Sequence, residues 1–231
     1  MADEPSITAT PNGPYLVSGA RLVVKVPVQT ELGEPIAWAT GPTIPTNERY
    51  ALCRCGHSGR KPFCDGTHAR IDFDGTETAD GTYAERSKAY PGTGVVVHDD
   101  RSICTHAGFC STAVTNVWKM VRHTDDTAVR SQMIAMVERC PSGALTYSMG
   151  DSDVPVEPDL AADVAVVPDG PLFVSGGVTV IRSDGTVLER RNRMTLCRCG
   201  ESGDKPLCDG SHQAAGFQHT PEGVAGPVRR S

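Results

Sequence analysis

The chain has 231 residues and a formal net charge of −6, which argues against a general binder of nucleic acid or acidic membranes. Only 5% of the residues are aromatic, while 24 are glycine and 17 are proline, so small domains held by metal ions or disulfides are expected rather than one large core. No signal peptide and no apolar run of about 18 residues is present, so we expect a soluble, cytoplasmic protein whose nine cysteines bind metal rather than form disulfides.

The N-terminal part of the chain is predicted to be β-rich. Residues 1–10 are polar and are expected to be loose. Apolar residues alternate in Pro11–Lys25 and again in Pro168–Arg182, which is typical of strands. Both segments contain a similar turn followed by Val-Ser-Gly, so the chain contains an internal repeat. Gln29–Asn47 is rich in Gly, Pro and Thr and is predicted to be an extended surface loop.

A sixteen-residue stretch follows each of these strand segments. Cys53–His68 reads CRCGHSGRKPFCDGTH and Cys197–His212 reads CRCGESGDKPLCDGSH, with twelve of the sixteen positions identical. Each copy offers three thiols and one imidazole as candidate metal ligands: Cys53, Cys55, Cys64 and His68, then Cys197, Cys199, Cys208 and His212.

The spacing of these residues is that of a compact metal loop. Two cysteines one residue apart can reach a single ion, and His68 lies four residues after Cys64, on the same face of a helical turn that Asp65 can cap. A structural zinc ion accepts three cysteines and one histidine, but its usual loops have longer Cys-x₂₋₄-Cys spacing. An iron–sulfur cluster is the other interpretation.

The pattern C-x-C-x₂-S-x₃-P-x-C-D-G-[ST]-H resembles the CDGSH iron–sulfur domain family, that of the mitoNEET-type proteins. The resemblance implies one [2Fe–2S] cluster per loop. Cys53 and Cys55 would hold one iron, and Cys64 and His68 the other; Cys197 with Cys199, and Cys208 with His212, would do the same in the second loop. Family members pair two such units, so we expect the two units to pair within the chain.

The remaining cysteines, Cys104, Cys110 and Cys140, lie between the two repeats. The segment CTHAGFC and the later Cys-Pro resemble a divergent single-cluster ferredoxin domain over about residues 88–150, which has Ala107 where a second cysteine would stand. Three thiolates suit a [3Fe–4S] cluster, and His106 could complete a [4Fe–4S] cluster. The alternative is that these cysteines are buried apolar residues.

Local patterns add detail to this middle segment. Short strands are predicted at Gly94–Val97 and Ala144–Ser148. A helix is predicted over Thr127–Cys140, ending before Pro141 because the residue before a proline avoids the α region. The other histidines are expected to be exposed bystanders: His57, His98, His123 and His219.

The predicted architecture is α+β: two small β-rich CDGSH units, each with a metal-binding loop and a short helix, and a ferredoxin-like α+β middle domain. The predicted divisions are 11–86 (first CDGSH domain), 87–150 (middle domain), 151–167 (linker), 168–219 (second CDGSH domain) and 220–231 (disordered tail).

The favoured function is a three-cluster electron carrier without a catalytic site of its own, since no catalytic triad, P-loop or GxGxxG motif is present. The expected partner is a reductase, another oxidoreductase or an apo-acceptor protein, and no nucleic acid or membrane is involved. The alternatives are cluster storage, delivery or sensing, and an electron-supplying subunit of a partner oxidoreductase.

Overall fold

The computed structural model describes residues 4–224 and the backbone of Val228 and Arg229. The strands, in chain order, are β1 (Ser6–Ala9), β2 (Tyr15–Ser18), β3 (Arg21–Gln29), β4 (Pro35–Thr43), β5 (Arg49–Leu52), β6 (Lys88–Pro91), β7 (Val95–Asp99), β8 (Leu145–Met149), β9 (Asp163–Val166), β10 (Leu172–Ser175), β11 (Thr179–Ile181), β12 (Arg193–Leu196) and β13 (Val228–Arg229). The helices are α1 (Tyr83–Arg86), α2 (Val117–Met120), α3 (Thr127–Glu138) and α4 (Ser211–Ala214), with 3-10 turns at Thr67–Arg70, Arg101–Ile103 and Val121–His123. The predicted α+β class is confirmed.

The two repeat units exchange one strand each. In the first sheet, β1, β2 and β5 are antiparallel, and β11 of the second unit pairs parallel with β1. In the second sheet, β9, β10 and β12 are antiparallel, and β3 of the first unit pairs parallel with β9. Each sheet is therefore completed by a strand from the other half of the chain.

The two exchanged sheets enclose one hydrophobic core. It contains Ile7, Val17 and Leu22 from the first unit and Leu172 and Val180 from the second, each at most 1% exposed. Burying a side chain of this size contributes about 1.5–3 kcal/mol. The two units therefore stabilise each other through a shared interior.

The central region is a separate small layer of helix on sheet. β6, β7 and β8 form an antiparallel sheet, and α3 packs on it through Met133, Met136 and Val137. α3 begins where the side chain of Asp126 accepts hydrogen bonds from two backbone amides of its first turn, and it ends at Glu138, two residues before the predicted end. The helix prediction is confirmed apart from this boundary.

Three segments expected to lack regular structure contain strands. Ser6–Ala9 of the predicted loose N-terminus is β1, and Asp163–Val166 at the end of the predicted linker is β9. Both strands have apolar residues buried in the shared interior, a long-range effect that local polarity does not reveal. The middle of the predicted surface loop is β4, in which Pro35 and Pro42 are tolerated because β4 pairs with β3 at a sheet edge.

Parts of the predicted tail, 220–231, lie outside the described residues. Within them, Val228 and Arg229 form β13, which pairs parallel with the end of β3. No helix in residues 4–224 is both long enough and apolar enough to cross a membrane.

A buried arginine joins the central region to the second unit. Arg193 of β12 is 1% exposed, and its guanidinium donates hydrogen bonds to the carbonyls of Val137 (2.8 Å), Cys140 (2.9 Å) and Leu145 (3.2 Å). It also pairs with the carboxylate of Glu157 at 2.6 Å. The strand that leads into the second loop is thus fixed to the end of α3 and to the backbone of Cys140.

We predict that Arg193→Ala strongly destabilises the fold, because it leaves buried carbonyls without donors and Glu157 without its partner. The free energy of unfolding should fall by about 3–5 kcal/mol, measured by urea denaturation followed by circular dichroism. Arg190→Ala is the control, because Arg190 makes a surface ion pair with Glu4 and its side chain is 56% exposed. Equal effects of the two substitutions would contradict the anchoring role of Arg193.

Candidate iron–sulfur sites

The first loop extends from the end of β5 and brings its candidate ligands together in two pairs. The sulfur atoms of Cys53 and Cys55 lie 3.8 Å apart. Cys64 and His68 come from the other end of the loop, where the Cys64 sulfur lies 3.4 Å from Nδ1 of His68. Two thiols form one pair, and a thiol with an imidazole forms the other.

The second loop extends from β12 and repeats this geometry. The sulfur atoms of Cys197 and Cys199 lie 3.7 Å apart, and the Cys208 sulfur lies 3.4 Å from Nδ1 of His212. The agreement between the loops follows from their shared sequence. Each loop follows a β-strand, β5 or β12, and each contains the same Asp-Gly turn.

The pairs fit tetrahedral metal ions. Two sulfurs bound at about 2.3 Å to a tetrahedral ion lie about 3.8 Å apart, and a sulfur and a nitrogen lie about 3.5 Å apart. Within the described part of the chain, no three His, Cys, Asp or Glu side chains are grouped so that they could hold one metal ion. The donors of each loop stand as one thiol–thiol pair and one thiol–imidazole pair.

Internal hydrogen bonds explain why other loop residues occur in both copies. The Ser58 hydroxyl donates to the Phe63 carbonyl at 2.7 Å, and Asp65 accepts from the amides of Gly59 (2.8 Å) and Thr67 (3.0 Å). The side chain of Thr67 and these two amides hold the pKa of the Asp65 carboxyl well below its usual range. Ser202 and Asp209 make the corresponding bonds in the second loop.

The two loop lysines have a structural contact as well. Lys61 donates to the carbonyl of Ser58 at 2.6 Å, and Lys205 donates to the carbonyl of Ser202 at 2.8 Å. Each ammonium group therefore fastens its own loop, and the identity of the lysines in both copies is explained by this contact.

Burial shifts the acidity of the thiols. It raises the pKa of Cys55 to about 11 and that of Cys208 to about 12. In the second loop, the hydrogen bond between the thiols of Cys197 and Cys199 lowers the pKa of Cys197 to about 6 and raises the pKa of Cys199. Because metals bind the thiolate, metal binding at these loops should release protons.

The arginine between the first two cysteines of each loop is a functional residue that the sequence analysis missed. Arg54 and Arg198 are 1% and 2% exposed. Arg54 donates to the carbonyl of Gly75 (2.8 Å), and Arg198 donates to those of Gly170 and Val167 (2.7 Å each). Arg198 holds the turn between β9 and β10 of its unit, and Arg54 holds the segment after its own loop and forms a buried ion pair with Glu77 at 3.0 Å. The presence of arginine at this position in both copies was the sequence feature that could have revealed this role.

The two loops touch each other through their first glycines. A Cβ atom on Gly56 would lie 2.3 Å from the carbonyl oxygen of Cys199, and one on Gly200 would lie 2.7 Å from that of Cys55. Both glycines have positive φ, +79° and +90°. Glycine is therefore required at both positions for backbone conformation and for close approach.

The central cysteines line one cavity of about 300 Å³. Cys104 follows the 3-10 turn Arg101–Ile103, Cys110 lies shortly before α2, and Cys140 follows α3. All three are half-buried, and burial raises the pKa of Cys110. The cavity brings together residues up to 36 positions apart in sequence, which fits a cluster held by three thiolates.

His106, the candidate fourth ligand, lies at the rim of this cavity with φ of +55°. Its ring edge also lies against the second loop, because a Cβ on Gly210 would meet Cδ2 of His106 at 2.7 Å. The carbonyl of Cys104 lies 3.2 Å from the same point. The central cavity and the second CDGSH loop are therefore in direct contact.

Two of the four histidines predicted to be exposed bystanders, His219 and His98, are half-buried. His219 is half-buried, with Nδ1 2.8 Å from a guanidinium nitrogen of Arg198 and Nε2 2.9 Å from the carbonyl oxygen of Lys61. It thus links the two loops. Burial and the charge of Arg198 lower its pKa to about 4. His98 is also half-buried, whereas His57 and His123 are exposed as predicted.

Comparison with known families agrees with these sites. The family model described as "Iron-binding zinc finger CDGSH type" matches residues 12–69 and 169–213. The model described as "Divergent 4Fe-4S mono-cluster" matches residues 90–150. No curated protein matches the chain.

The fold and the sites define an iron–sulfur protein, with Cys₃His loops built on strand-exchanged units and a cysteine-lined cavity beside them. Within that class, the chain carries tandem copies of the CDGSH family that flank a divergent 4Fe–4S mono-cluster domain.

We predict that His219 makes the fold less stable in mild acid. The ordinary pKa of histidine is about 6.5, and that of His219 in the folded chain is about 4. Between these values the unfolded chain binds more protons, so stability falls as the pH is lowered. Asp169, which accepts a hydrogen bond from the His219 amide, opposes this shift only in part.

The measurement is the urea midpoint as a function of pH for wild type and His219→Gln, which does not titrate. The variant should show a shallower loss of stability across this pH range. His123→Gln, at an exposed position, is the control and should follow wild type. An identical pH profile for all three proteins would show that His219 is not held neutral by the fold.

Proposed function

We propose that the chain is an electron carrier with a [2Fe–2S] cluster in each CDGSH loop and a third cluster, [3Fe–4S] or [4Fe–4S], in the central cavity. Such clusters exchange single electrons. The observation that carries the proposal is the pairing of donors in both loops, with thiols 3.7–3.8 Å apart and sulfur–imidazole pairs 3.4 Å apart. Paired donors suit a cluster whose two irons each take two protein ligands.

The proposed ligands are those of the sequence analysis. The loops supply Cys53, Cys55, Cys64 and His68, and Cys197, Cys199, Cys208 and His212; the cavity supplies Cys104, Cys110 and Cys140. His106 is the candidate for a fourth iron, since it lines the same cavity.

The surrounding residues are arranged to tune such sites. Burial, hydrogen bonds to the ligands and nearby charge are the features through which proteins set cluster potentials. Cys53 and Cys197 are 3% and 1% exposed, and the guanidinium groups of Arg54 and Arg198 lie in the same buried layer. The positive charge of Arg198 offsets part of the negative charge of the thiolates, whereas that of Arg54 is paired with the buried carboxylate of Glu77 at 3.0 Å. A redox protein is the proposed partner, and any catalysis belongs to that partner.

Cluster delivery is the second candidate function, and the first loop favours it. Cys64 and His68 are only half-buried, so these two donors are accessible from solvent. A histidine ligand must be neutral to bind iron, so protonation competes with the metal. A cluster held at this end of the loop has a route to an apo-acceptor protein.

The direct test is the iron and sulfide content of the protein, together with electron paramagnetic resonance of the isolated and reduced forms. About seven or eight irons per chain would support three clusters, and about four would leave the central cavity without one. Cys140→Ser should remove the central irons and retain those of the loops. A protein that contains zinc and lacks visible absorption would contradict the proposal.

A second measurement separates the two candidate functions. An electron carrier should undergo repeated reduction and oxidation with unchanged iron content. A delivery protein should instead lose iron and sulfide in proportion to the amount of apo-acceptor added, here an apo [2Fe–2S] ferredoxin.

A further inference from the structure

We infer that the central region covers the second CDGSH loop, so that the second site is an inner site joined to the central cavity and the first site is the outer one. Of the two loops, the outer one is the one that loses its iron to solvent more readily. This inference deepens the proposed function and depends on it, because it requires that the sites hold clusters.

The two loops differ in burial at equivalent ligands. Cys208 is 2% exposed and His212 is 7% exposed. Their counterparts in the first loop, Cys64 and His68, are both half-buried. Since the loops share twelve of sixteen residues and the same internal hydrogen bonds, this difference comes from what surrounds each loop.

The glycine of the Cys-Asp-Gly turn shows where the cover lies. Gly66 of the first loop is exposed, and a Cβ atom there would meet no atom of the described residues within 4 Å. Gly210 of the second loop is buried, and a Cβ atom there would lie 2.7 Å from Cδ2 of His106 and 3.2 Å from the carbonyl oxygen of Cys104. The backbone conformation is the same at both positions, with φ of +85° and +93°.

Further contacts hold this cover in place. The side-chain amide of Gln213, next to His212, lies 3.4 Å from the carbonyl oxygen of His106 and donates to it. Arg193 fixes the other wall of the cavity, at Cys140, to the strand that precedes the second loop. The cover is therefore attached to the second unit at two places.

The second loop contacts the first loop and the central region, besides the backbone amides of Thr78 and Ala79, which donate to the carbonyl of Lys205 at 2.9 and 3.0 Å. Its first glycine, Gly200, lies against the carbonyl of Cys55 in the first loop, and Gly210 at its other end lies against Cys104 and His106. In space the order is first loop, second loop, central cavity. The central region is in the middle of the sequence but at one end of this series.

The test compares loss of clusters from the two loops in the holoprotein. Cys208→Ser leaves the first loop intact, and Cys64→Ser leaves the second. With excess EDTA at neutral pH, the visible circular dichroism of the intact [2Fe–2S] site should decay roughly tenfold more slowly in the Cys64→Ser protein, because the cover must open first. Adding His106→Ala should speed that decay toward the rate of the first loop, whereas His123→Ala should not.

A serine variant that fails to assemble its remaining site would give no decay rate. Two glycine variants in the otherwise intact chain therefore provide a second measurement. Gly66→Ala and Gly210→Ala impose similar backbone strain, but only Gly210→Ala collides with His106. Gly210→Ala should speed cluster loss more than Gly66→Ala does, and adding His106→Ala should reverse part of the difference.

Equal decay rates in the two single-loop proteins, or an unchanged slow rate with His106→Ala, would overturn the inference. So would equal effects of the two glycine variants. Absence of iron and sulfide, or iron content that falls on each redox cycle, would instead refute the proposed function. The two failures are therefore distinguishable.

Discussion

The exchange of one strand between the repeat units is the constraint on which the rest of the structure depends. β11 pairs with β1, and β3 pairs with β9, so neither unit has a complete sheet or core without the other. This exchange brings the two loops into contact, so that Gly56 and Gly200 each lie against a carbonyl of the opposite loop. Both sites are thereby built on one shared interior.

Within each loop, most of the repeated residues serve the geometry of the donors rather than chemistry of their own. Serine, lysine and aspartate close hydrogen bonds inside the loop, while Arg54 ties its loop to the segment that follows it and Arg198 ties its loop to the turn between β9 and β10. Arg198 also brings positive charge near the thiols, whereas the charge of Arg54 is paired with the buried carboxylate of Glu77. A change at these positions would act on a bound cluster through the positions of its ligands and through charge.

The central region breaks the symmetry that the repeat would otherwise give. It is attached to the second unit through Arg193, and it lies against Gly210 through His106. Trp38 of β4 stacks on Phe109 with ring centroids 4.8 Å apart, so the first unit also contacts it. Two loops of nearly the same sequence therefore have different surroundings, and different accessibility is the physical basis for different roles.

The sequence by itself determined the candidate ligand sets, the repeat, the α+β class and the helix α3, because these depend on local spacing, periodicity and capping. It did not reveal β1 or β9, which pair with strands of the other half of the chain, nor β4, whose glycine and prolines are typical of a loop. It placed His219 on the surface and overlooked Arg193, because both act through contacts across units. Which loop is covered was decided by tertiary structure alone: Gly66 and Gly210 lie in the same motif, and only packing distinguishes them.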